Sequence, residues 1–194
     1  IILLLLTAFS LSAGAQVYNN EWIDYSKTYY KFRVGVTGIY RINSSALATI
    51  GLDNVNADHF QLWRNGKEVA IYTSVQSAPL GGTGYIEFFG EMNDGKPDKP
   101  LYREPDYQLL DKWSLQTDSA AFFLTVNPSG GNLRFITGAN NVTGNTLPVE
   151  PFFMYTAGFY YKDKINQGRS ELVGSSYTYS SSYDYGEGWT SVDI

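Results

Sequence analysis

The sequence predicts an all-β fold: an antiparallel β-sandwich-like domain or domains with one short connector helix, preceded by a signal peptide. The chain is 16% aromatic, with 16 tyrosines, and aromatic side chains suit a pleated, half-buried sheet surface. Its 19 glycines, together with asparagines, punctuate the sequence at turn-like spacings. Short β-prone runs follow one another without long helical patterns between them, which favours an antiparallel sandwich over a parallel α/β sheet.

The first fifteen residues have the pattern of a secretory signal peptide. Residues 1–6 are an unbroken apolar run, and Ala13-Gly14-Ala15 has the small-x-small pattern of a cleavage site. Cleavage between Ala15 and Gln16 is therefore predicted. The alternative, a buried N-terminal helix, is disfavoured because almost nothing in the run is polar enough to face water. The run is also too short to span a bilayer.

Export follows from this interpretation, to the periplasm, outer membrane or surface of a Gram-negative bacterium, with no transmembrane span. No initiator methionine and no basic n-region precede the apolar run, so the sequence is expected to begin inside the gene product. The predicted organisation is a signal peptide at 1–15, an N-terminal β-sandwich-like domain at 16–128 and a second β-rich segment at 129–194. The boundary is placed at the Pro- and Gly-rich run 128–131, and the second segment is expected to be truncated before a further domain.

The clearest alternating run spans residues 29–36. Its apolar side chains fall on one side and its basic side chains on the other: Tyr30, Phe32, Val34 and Val36 against Lys31 and Arg33. Strand character resumes at 39–42. A short helix is predicted over 46–50, with Ser44 or Ser45 as its cap and Gly51 in the left-handed conformation at its end.

The strongest local signal is a β-hairpin built on Asn65-Gly66. These two residues tolerate positive φ, and they separate the β-prone runs 60–64 and 67–72. Further strands are predicted at 85–90, 121–126, 133–137 and 152–161. The turns between them are rich in Gly, Pro and Asn.

Composition excludes several kinds of chemistry. A net charge of −5 and the absence of a basic stripe argue against nucleic-acid binding. Because the chain has no cysteine, it has no disulfide, thiolate metal site or cysteine nucleophile. His59 is the single histidine and no Gly-x-Ser-x-Gly elbow exists, so a turn residue is favoured over a catalytic one. We predict no catalytic residue and no cofactor.

One segment has the composition of a weak calcium site. Asn93, Asp94 and Asp98 gather oxygen ligands around Gly95, and calcium prefers such hard oxygen donors. The spacing does not match an EF-hand, and Lys96 places a positive charge inside the segment. A polar turn is therefore the favoured interpretation. A carboxylate pair for glycoside hydrolysis stays open, although no acidic pair stands on a motif.

Tyrosines near the end of the chain share one parity. In an extended chain, Tyr177, Tyr179, Tyr183 and Tyr185 lie on one face, where they are able to stack on sugars or on another protein. The alternatives are a sheet face covered by a neighbouring domain and a low-complexity loop. The four tryptophans are expected to be core or interface anchors: Trp22, Trp63, Trp113 and Trp189.

The order of several loose motifs resembles a known family. The runs are 30–34 with 38–42, 60–68, 85–90 with 93–98, 110–115 leading into 118–126, and 186–189. In this order they resemble the N-terminal region of gingipain-type cysteine peptidases of Bacteroidota, most of all the PorU-type sortases of the type IX secretion system. The resemblance covers nearly all of the chain after residue 16.

The resemblance implies a multidomain surface protein in which a β-rich region precedes a caspase-like peptidase domain bearing a His and a Cys. A PorU-type sortase cleaves C-terminal sorting signals from secreted cargo and helps to transfer that cargo to lipopolysaccharide. No catalytic residue is carried over, because the catalytic motif is absent, the chain has no cysteine, and His59 lies in the N-terminal region and not in a peptidase core. The implied partners are the downstream peptidase domain of the same chain and type IX secretion outer-membrane proteins. Asp118-Ser119-Ala120 also resembles the short O-glycosylation site of this phylum, or an ordinary turn.

The expected function is therefore non-catalytic: the region packs against a peptidase domain and positions it. The alternative is a cell-surface adhesin or carbohydrate-binding β-module that uses exposed aromatic side chains. A carboxylate-based hydrolase is a third hypothesis.

Overall fold

A computed structural model of the chain describes residues 20–192, with the exception of 140, 145 and 156. The predicted signal peptide and its cleavage position at Ala15 and Gln16 lie outside the described residues. The described chain is built mainly of strands paired antiparallel, with short helices, which confirms the predicted all-β class.

Two antiparallel sheets form the first part of the structure. Their strands, in chain order, are β1 (Tyr30–Val34), β2 (Gly38–Asn43), β3 (Phe60–Arg64), β4 (Lys67–Val69), β5 (Ile71–Thr73), β6 (Tyr85–Gly90) and β7 (Ala120–Val126). One sheet has the order β1-β7-β3-β4 and the other the order β2-β6-β5. The chain therefore crosses between the sheets four times, after β1, β2, β4 and β6.

The two sheets pack face to face through an apolar core. The rings of Phe88 on β6 and Phe122 on β7 join them, with centroids 5.4 Å apart. Burial of one such side chain contributes about 1.5–3 kcal/mol. The core cluster draws on both sheets and on the segments between them: Val34, Leu47, Leu52, Ala57, Phe60, Leu62, Ile71, Leu80, Ile86, Phe88, Ala120, Phe122 and Leu124.

The alternation predicted for the first strand is confirmed over Tyr30–Val34, where Lys31 and Arg33 are exposed and the residues between them are more buried. Val36 differs, because the chain has left the sheet there and its side chain is 69% exposed. The predicted short helix exists as α1 (Ser44–Ala48), and Gly51 has the predicted left-handed backbone. The predicted cap is wrong: the N-cap is Asn43, which makes no side-chain capping bond.

The predicted Asn-Gly hairpin is confirmed. Asn65 and Gly66 have φ of 48° and 72°, and Arg64 pairs with Lys67 across the turn. Positive φ at both turn positions is typical of the type I′ turn, whose twist suits a two-residue hairpin loop. The second arm is shorter than predicted, because it ends at Val69 and the chain passes through Ala70 into β5 of the other sheet.

Two predicted strands are wrong. The segment 133–137 contributes one isolated bridge, between Arg134 and Ile71, and no strand. The described residues of 152–161 form no strand either. Both segments are β-prone, but strand propensity reflects packing against a neighbouring strand, and neither segment has such a neighbour along its length.

Two separate two-stranded sheets follow in the last part of the described chain. Their strands are β8 (Lys164–Gln167), β9 (Ser170–Val173), β10 (Ser176–Tyr179) and β11 (Glu187–Thr190). β9 pairs with β10, and β8 pairs with β11. The predicted boundary at 128/129 falls within a segment tied to the sandwich, since Asn132 donates to the Asp58 carbonyl oxygen and Arg134 to that of Ala57.

Short 3₁₀ turns complete the secondary structure at Ala57–His59, Lys96–Leu101 and Pro105–Tyr107. None of the helices in residues 20–192, as far as they are described, is long and apolar enough to cross a membrane.

Candidate interaction surface

The long connection between β6 and β7 is organised around the buried carboxylate of Asp98. One Asp98 oxygen accepts a hydrogen bond from the Ser114 hydroxyl at 3.1 Å, and the other accepts one from the Leu115 backbone N–H at 2.9 Å. Because a buried carboxylate is costly without such donors, these bonds hold the two ends of the connection together.

Gly95 permits this close packing. Its φ is +80°, and a Cβ at this position would lie 2.5 Å from the Trp113 carbonyl oxygen. Both the left-handed backbone and the close approach therefore favour glycine.

The three calcium candidates each have protein partners. The Asn93 side-chain amide donates to the Thr117 carbonyl oxygen at 2.8 Å. Asp94 forms an ion pair with Lys96. Partial burial opposes ionisation of Asp94, but hydrogen bonds from Lys96 and its charge outweigh it, so the pKa of Asp94 falls below its ordinary value. Asp98 is committed to Ser114 and Leu115.

These contacts direct the three side chains to different neighbours. The described residues contain no group of three or more His, Asp or Glu side chains arranged to hold a metal ion. Calcium binding here stays a prediction, and it requires the Lys96 and Ser114 contacts to be displaced.

His59 ends the 3₁₀ turn Ala57–His59, beside an aspartate and a serine. Ser77 donates directly to the Asp58 carboxylate at 2.7 Å, and this bond lowers the pKa of Asp58. A catalytic triad needs the imidazole between the hydroxyl and the carboxylate. The direct contact between Ser77 and Asp58 therefore lacks triad geometry.

The last strand docks onto the β6–β7 connection. The Trp189 indole N–H donates to the Ser114 carbonyl oxygen at 2.9 Å. Lys162 lies over the rings of Trp113 and Trp189, at 4.9 and 5.4 Å from their centroids, and forms an ion pair with Asp118. A cation between two indoles and a carboxylate ties these segments together.

A second set of contacts reinforces this docking. Arg103 lies 3.1 Å from the nearly buried carboxylate of Asp184, and the Arg103 backbone N–H donates to the Tyr183 carbonyl oxygen at 3.0 Å. Tyr102 meets the edge of Tyr183 at 5.4 Å between centroids. Burial, together with the charge of Glu187, raises the pKa of Tyr102 to about 12. The predicted second segment thus packs on the connection at 95–118.

The β9–β10 hairpin projects from this docked region. Every residue of both strands is exposed. An isolated two-stranded hairpin is marginally stable in water, so this exposed hairpin is suited to stabilisation by a partner.

An exposed apolar stretch, here called the aromatic segment, occupies residues 147–161. Its Phe153 and Phe159 side chains are 83% and 93% exposed. Monomeric soluble proteins rarely expose contiguous apolar patches of this kind unless they serve in an interaction. The exposed apolar members of the segment are Leu147, Val149, Phe152, Phe153, Met154, Tyr155, Phe159, Tyr160 and Tyr161.

A groove of about 580 Å³ lies between the β9–β10 hairpin and the β8–β11 sheet. Tyr177 and Tyr179 of β10 line it, together with the amides Asn166 and Gln167 of β8. Neither of these two-stranded sheets was predicted from the sequence. The signal that would have found the exposed one is Gly174-Ser175 between two four-residue runs, because glycine at the first turn position, here with φ of 66°, is typical of two-residue hairpins.

The predicted single tyrosine face is wrong. Tyr177 and Tyr179 do share a strand, but the chain leaves that strand at Tyr179, and Tyr183 has a φ of 66°. Tyr183 and Tyr185 instead pack against Tyr102 and Tyr107. Residues of the same parity share a face only while the chain stays extended.

The tryptophans pack as predicted, each half-buried in contact with other parts of the chain. Trp22 stacks on Trp63 with centroids 5.3 Å apart on the outer face of the first sheet. Trp113 and Trp189 flank Lys162 in the C-terminal docking region.

Comparison with known proteins identifies no relative. The chain matches no protein-family model, no curated protein and no solved structure. Function is therefore argued from the geometry and the sequence motifs alone.

Proposed function

We propose that this chain is the non-catalytic, β-rich N-terminal region of an exported gingipain-type cysteine peptidase, most like the PorU-type sortases. Its role is to pack against the peptidase domain of the parent polypeptide and to position it. The motif order described above supports the family, and the exposed apolar surface supports the role.

The aromatic segment is the observation that carries this proposal. Large apolar side chains left in water forgo about 25 cal/mol of stabilisation for each Å² that a partner covers. Aromatic side chains are also enriched at the buried centres of interfaces. A domain lying on residues 147–161 and on the β9–β10 hairpin would cover both exposed features.

The motifs of the resemblance fall on the parts that build the scaffold. They include β1, β2, the β3–β4 hairpin, β6, β7 and the start of β11. The segment 93–98 contains the buried Asp98 anchor, and 110–115 contains its partner Ser114. These positions have packing roles, in keeping with a supporting region and not a reacting one.

The test is complex formation with the peptidase domain of the parent polypeptide, expressed separately. A 1:1 complex is expected by size-exclusion chromatography with light scattering. Phe152→Asp with Phe153→Asp should weaken it at least about tenfold, because interface anchors contribute more than about 1.4 kcal/mol. Tyr25→Asp, also at an exposed aromatic position but outside the segment, is the matched control. A parent polypeptide without a peptidase domain, or no complex, would refute the proposal.

A second candidate function is favoured by the groove between the β9–β10 hairpin and the β8–β11 sheet. Tyr177 and Tyr179 with neighbouring amides are the side-chain types that stack on and hydrogen-bond to sugar rings. A cell-surface carbohydrate-binding module would bind polysaccharide through this groove. Retention on a glycan array that is lost in Tyr177→Ala with Tyr179→Ala, and unaffected by Phe152→Asp with Phe153→Asp, would favour this alternative.

A further inference from the structure

The sandwich is open along one side, between the edge strands β1 and β2. β1 pairs with β7 on one side, and no strand in the described part of the chain pairs with its other side. β2 is likewise the edge strand of the facing sheet. A cavity of about 670 Å³ lies between these edges, roofed at one end by α1. We call it the lateral groove.

The lateral groove has an apolar floor. Phe32 of β1, Tyr40 and Ile42 of β2, Leu47 of α1 and Phe88 of β6 line it. Phe32, Tyr40 and Ile42 are only partly buried, although they pack against the core. The groove is therefore an unfinished edge of the hydrophobic core, with room for several large side chains.

Tyr40 is fixed in one wall of the groove. Its hydroxyl donates to the Val36 carbonyl oxygen at 2.7 Å, and its ring stacks on Phe88 with centroids 5.7 Å apart. A Cβ on Gly90 would lie 2.7 Å from the Tyr40 ring, so glycine at this position leaves room for it. The groove thus has a built wall, which is suited to a specific occupant.

Basic residues lie at and beside the lateral groove: Lys31 and Arg41 line it, and Arg33 lies on the same strand as Lys31. Residues 25–52 contain four basic residues and no acidic one, within a chain whose net charge is −5. Lys31 and Arg33 project from the outer face of β1, two residues apart and therefore on the same side. Arg33 has no ion-pair partner among the described residues, whereas Arg41 on β2 is paired with Glu87 at 2.7 Å.

This charge pattern disfavours a second copy of the chain as occupant. If β1 paired antiparallel with β1 of another copy around Phe32, Lys31 would lie opposite Arg33. Like charges directly opposite each other on paired strands are destabilising, and such charges commonly protect edge strands from self-association. The aromatic segment is also a poor match, because Glu150 is its single acidic side chain.

We propose that the lateral groove binds an extended acidic peptide segment of another protein, which adds to β1 as a further strand. Alternate apolar side chains of the peptide enter the groove above Phe32 and Leu47. The Asp or Glu side chains between them lie on the outer face beside Lys31 and Arg33. Strand addition uses the unpaired backbone groups of the edge for affinity, and the alternating side chains give the specificity.

The experiment measures fluorescence anisotropy of a labelled octapeptide, Glu-Val-Glu-Phe-Asp-Val-Glu-Leu, with the whole chain. Binding is expected to weaken about tenfold in Lys31→Glu with Arg33→Glu, since the change replaces two attractive charge pairs with repulsive ones. Lys67→Glu, at the opposite edge strand of the same sheet, is the matched control and should change affinity less than about twofold. Hydrogen exchange should show protection of residues 30–34 on binding.

Three control measurements decide the source of any binding. A peptide with Lys in place of each acid, and one with N-methylated backbone amides, should both fail to bind. Peptide binding by the single variant Arg33→Gln is measured as well, so that the result does not depend on a double variant whose melting temperature is lowered. The proposal is overturned if the acidic peptide does not bind, or if Lys67→Glu weakens binding as much as the double variant does. It is also overturned if decanoate, a fatty acid, protects residues 30–34 from hydrogen exchange and the acidic peptide does not.

Discussion

The indole N–H of Trp189 donates a hydrogen bond to the backbone carbonyl oxygen of Ser114, 2.9 Å away. Ser114 is also the residue whose hydroxyl donates to Asp98. One buried residue of the β6–β7 connection therefore links the last described strand to the anchor of that connection.

Trp189→Phe should loosen the two C-terminal two-stranded sheets without unfolding the sandwich. The change removes the indole N–H while keeping an aromatic ring, and a hydrogen bond of this kind contributes about 0.5–1.5 kcal/mol. Limited proteolysis should show faster cleavage within residues 160–190. Tyr177→Phe, at an exposed position, is the control, and equal cleavage of both variants would contradict the prediction.

Asp98→Ala should destabilise the β6–β7 connection by about 1–3 kcal/mol, because the Ser114 hydroxyl and the Leu115 N–H lose their acceptor in a buried site. Urea unfolding followed by tryptophan fluorescence measures the change. Asp106→Ala, in the exposed 3₁₀ turn Pro105–Tyr107, should stay within about 0.5 kcal/mol of the parent chain. A loss of similar size in both variants would show that Asp98 is not an anchor.

Phe88→Ala should lower the free energy of unfolding by about 3–5 kcal/mol, because it leaves a cavity where the two sheets meet. Phe153→Ala removes the same side chain from the exposed aromatic segment and should change it by less than about 0.5 kcal/mol. Chemical denaturation compares the two. A larger effect at Phe153 would mean that the aromatic segment, and not the sandwich, contains the core.

Tyr102 predicts a loss of stability at alkaline pH. Burial raises its pKa to about 12 in the folded chain, above the ordinary value of 10.0. The unfolded chain therefore releases this proton first, and the stability that the neutral phenol contributes is complete below pH 10 and lost as pH rises through about 12.

Tyr102→Phe should flatten this part of the stability profile, because phenylalanine has no proton to release. Urea midpoints measured at a series of pH values from 9 upwards, within the reversible range, give the comparison. Tyr155→Phe, an exposed tyrosine, should keep the profile of the parent chain. An unchanged slope in Tyr102→Phe would contradict the assigned cause.

Sequence patterns predict those strands whose own residues provide a local signal, such as a turn motif or a β-prone run. The Asn65-Gly66 hairpin was found because both residues favour the positive φ of the turn, whatever the rest of the chain does. The strand Tyr85–Gly90 and the strand Ala120–Val126 were found because their side chains are β-prone and bounded by turn residues. Local signals of this kind do not specify the sheet to which a strand belongs. At Ala70, for example, the chain crosses between the sheets within a run that was predicted as one arm of a hairpin.

The wrong predictions have a common physical cause. Residues 152–161 are as β-prone as any true strand, but a strand requires a neighbour to accept its backbone hydrogen bonds, and local sequence does not specify that neighbour. The same holds for the candidate surfaces. Asp98 was recognised as an oxygen ligand, but its burial against Ser114 depends on contacts 16 residues away.

Two of the four crossings of the chain between the sheets are short links, one at each flank of the sandwich. On one flank three residues, 35–37, join β1 to β2, and on the other Ala70 alone joins β4 to β5. Since packed sheets lie about 10 Å apart, links this short leave little slack. The two links therefore resist separation of the layers at the points where the chain crosses, one on each flank.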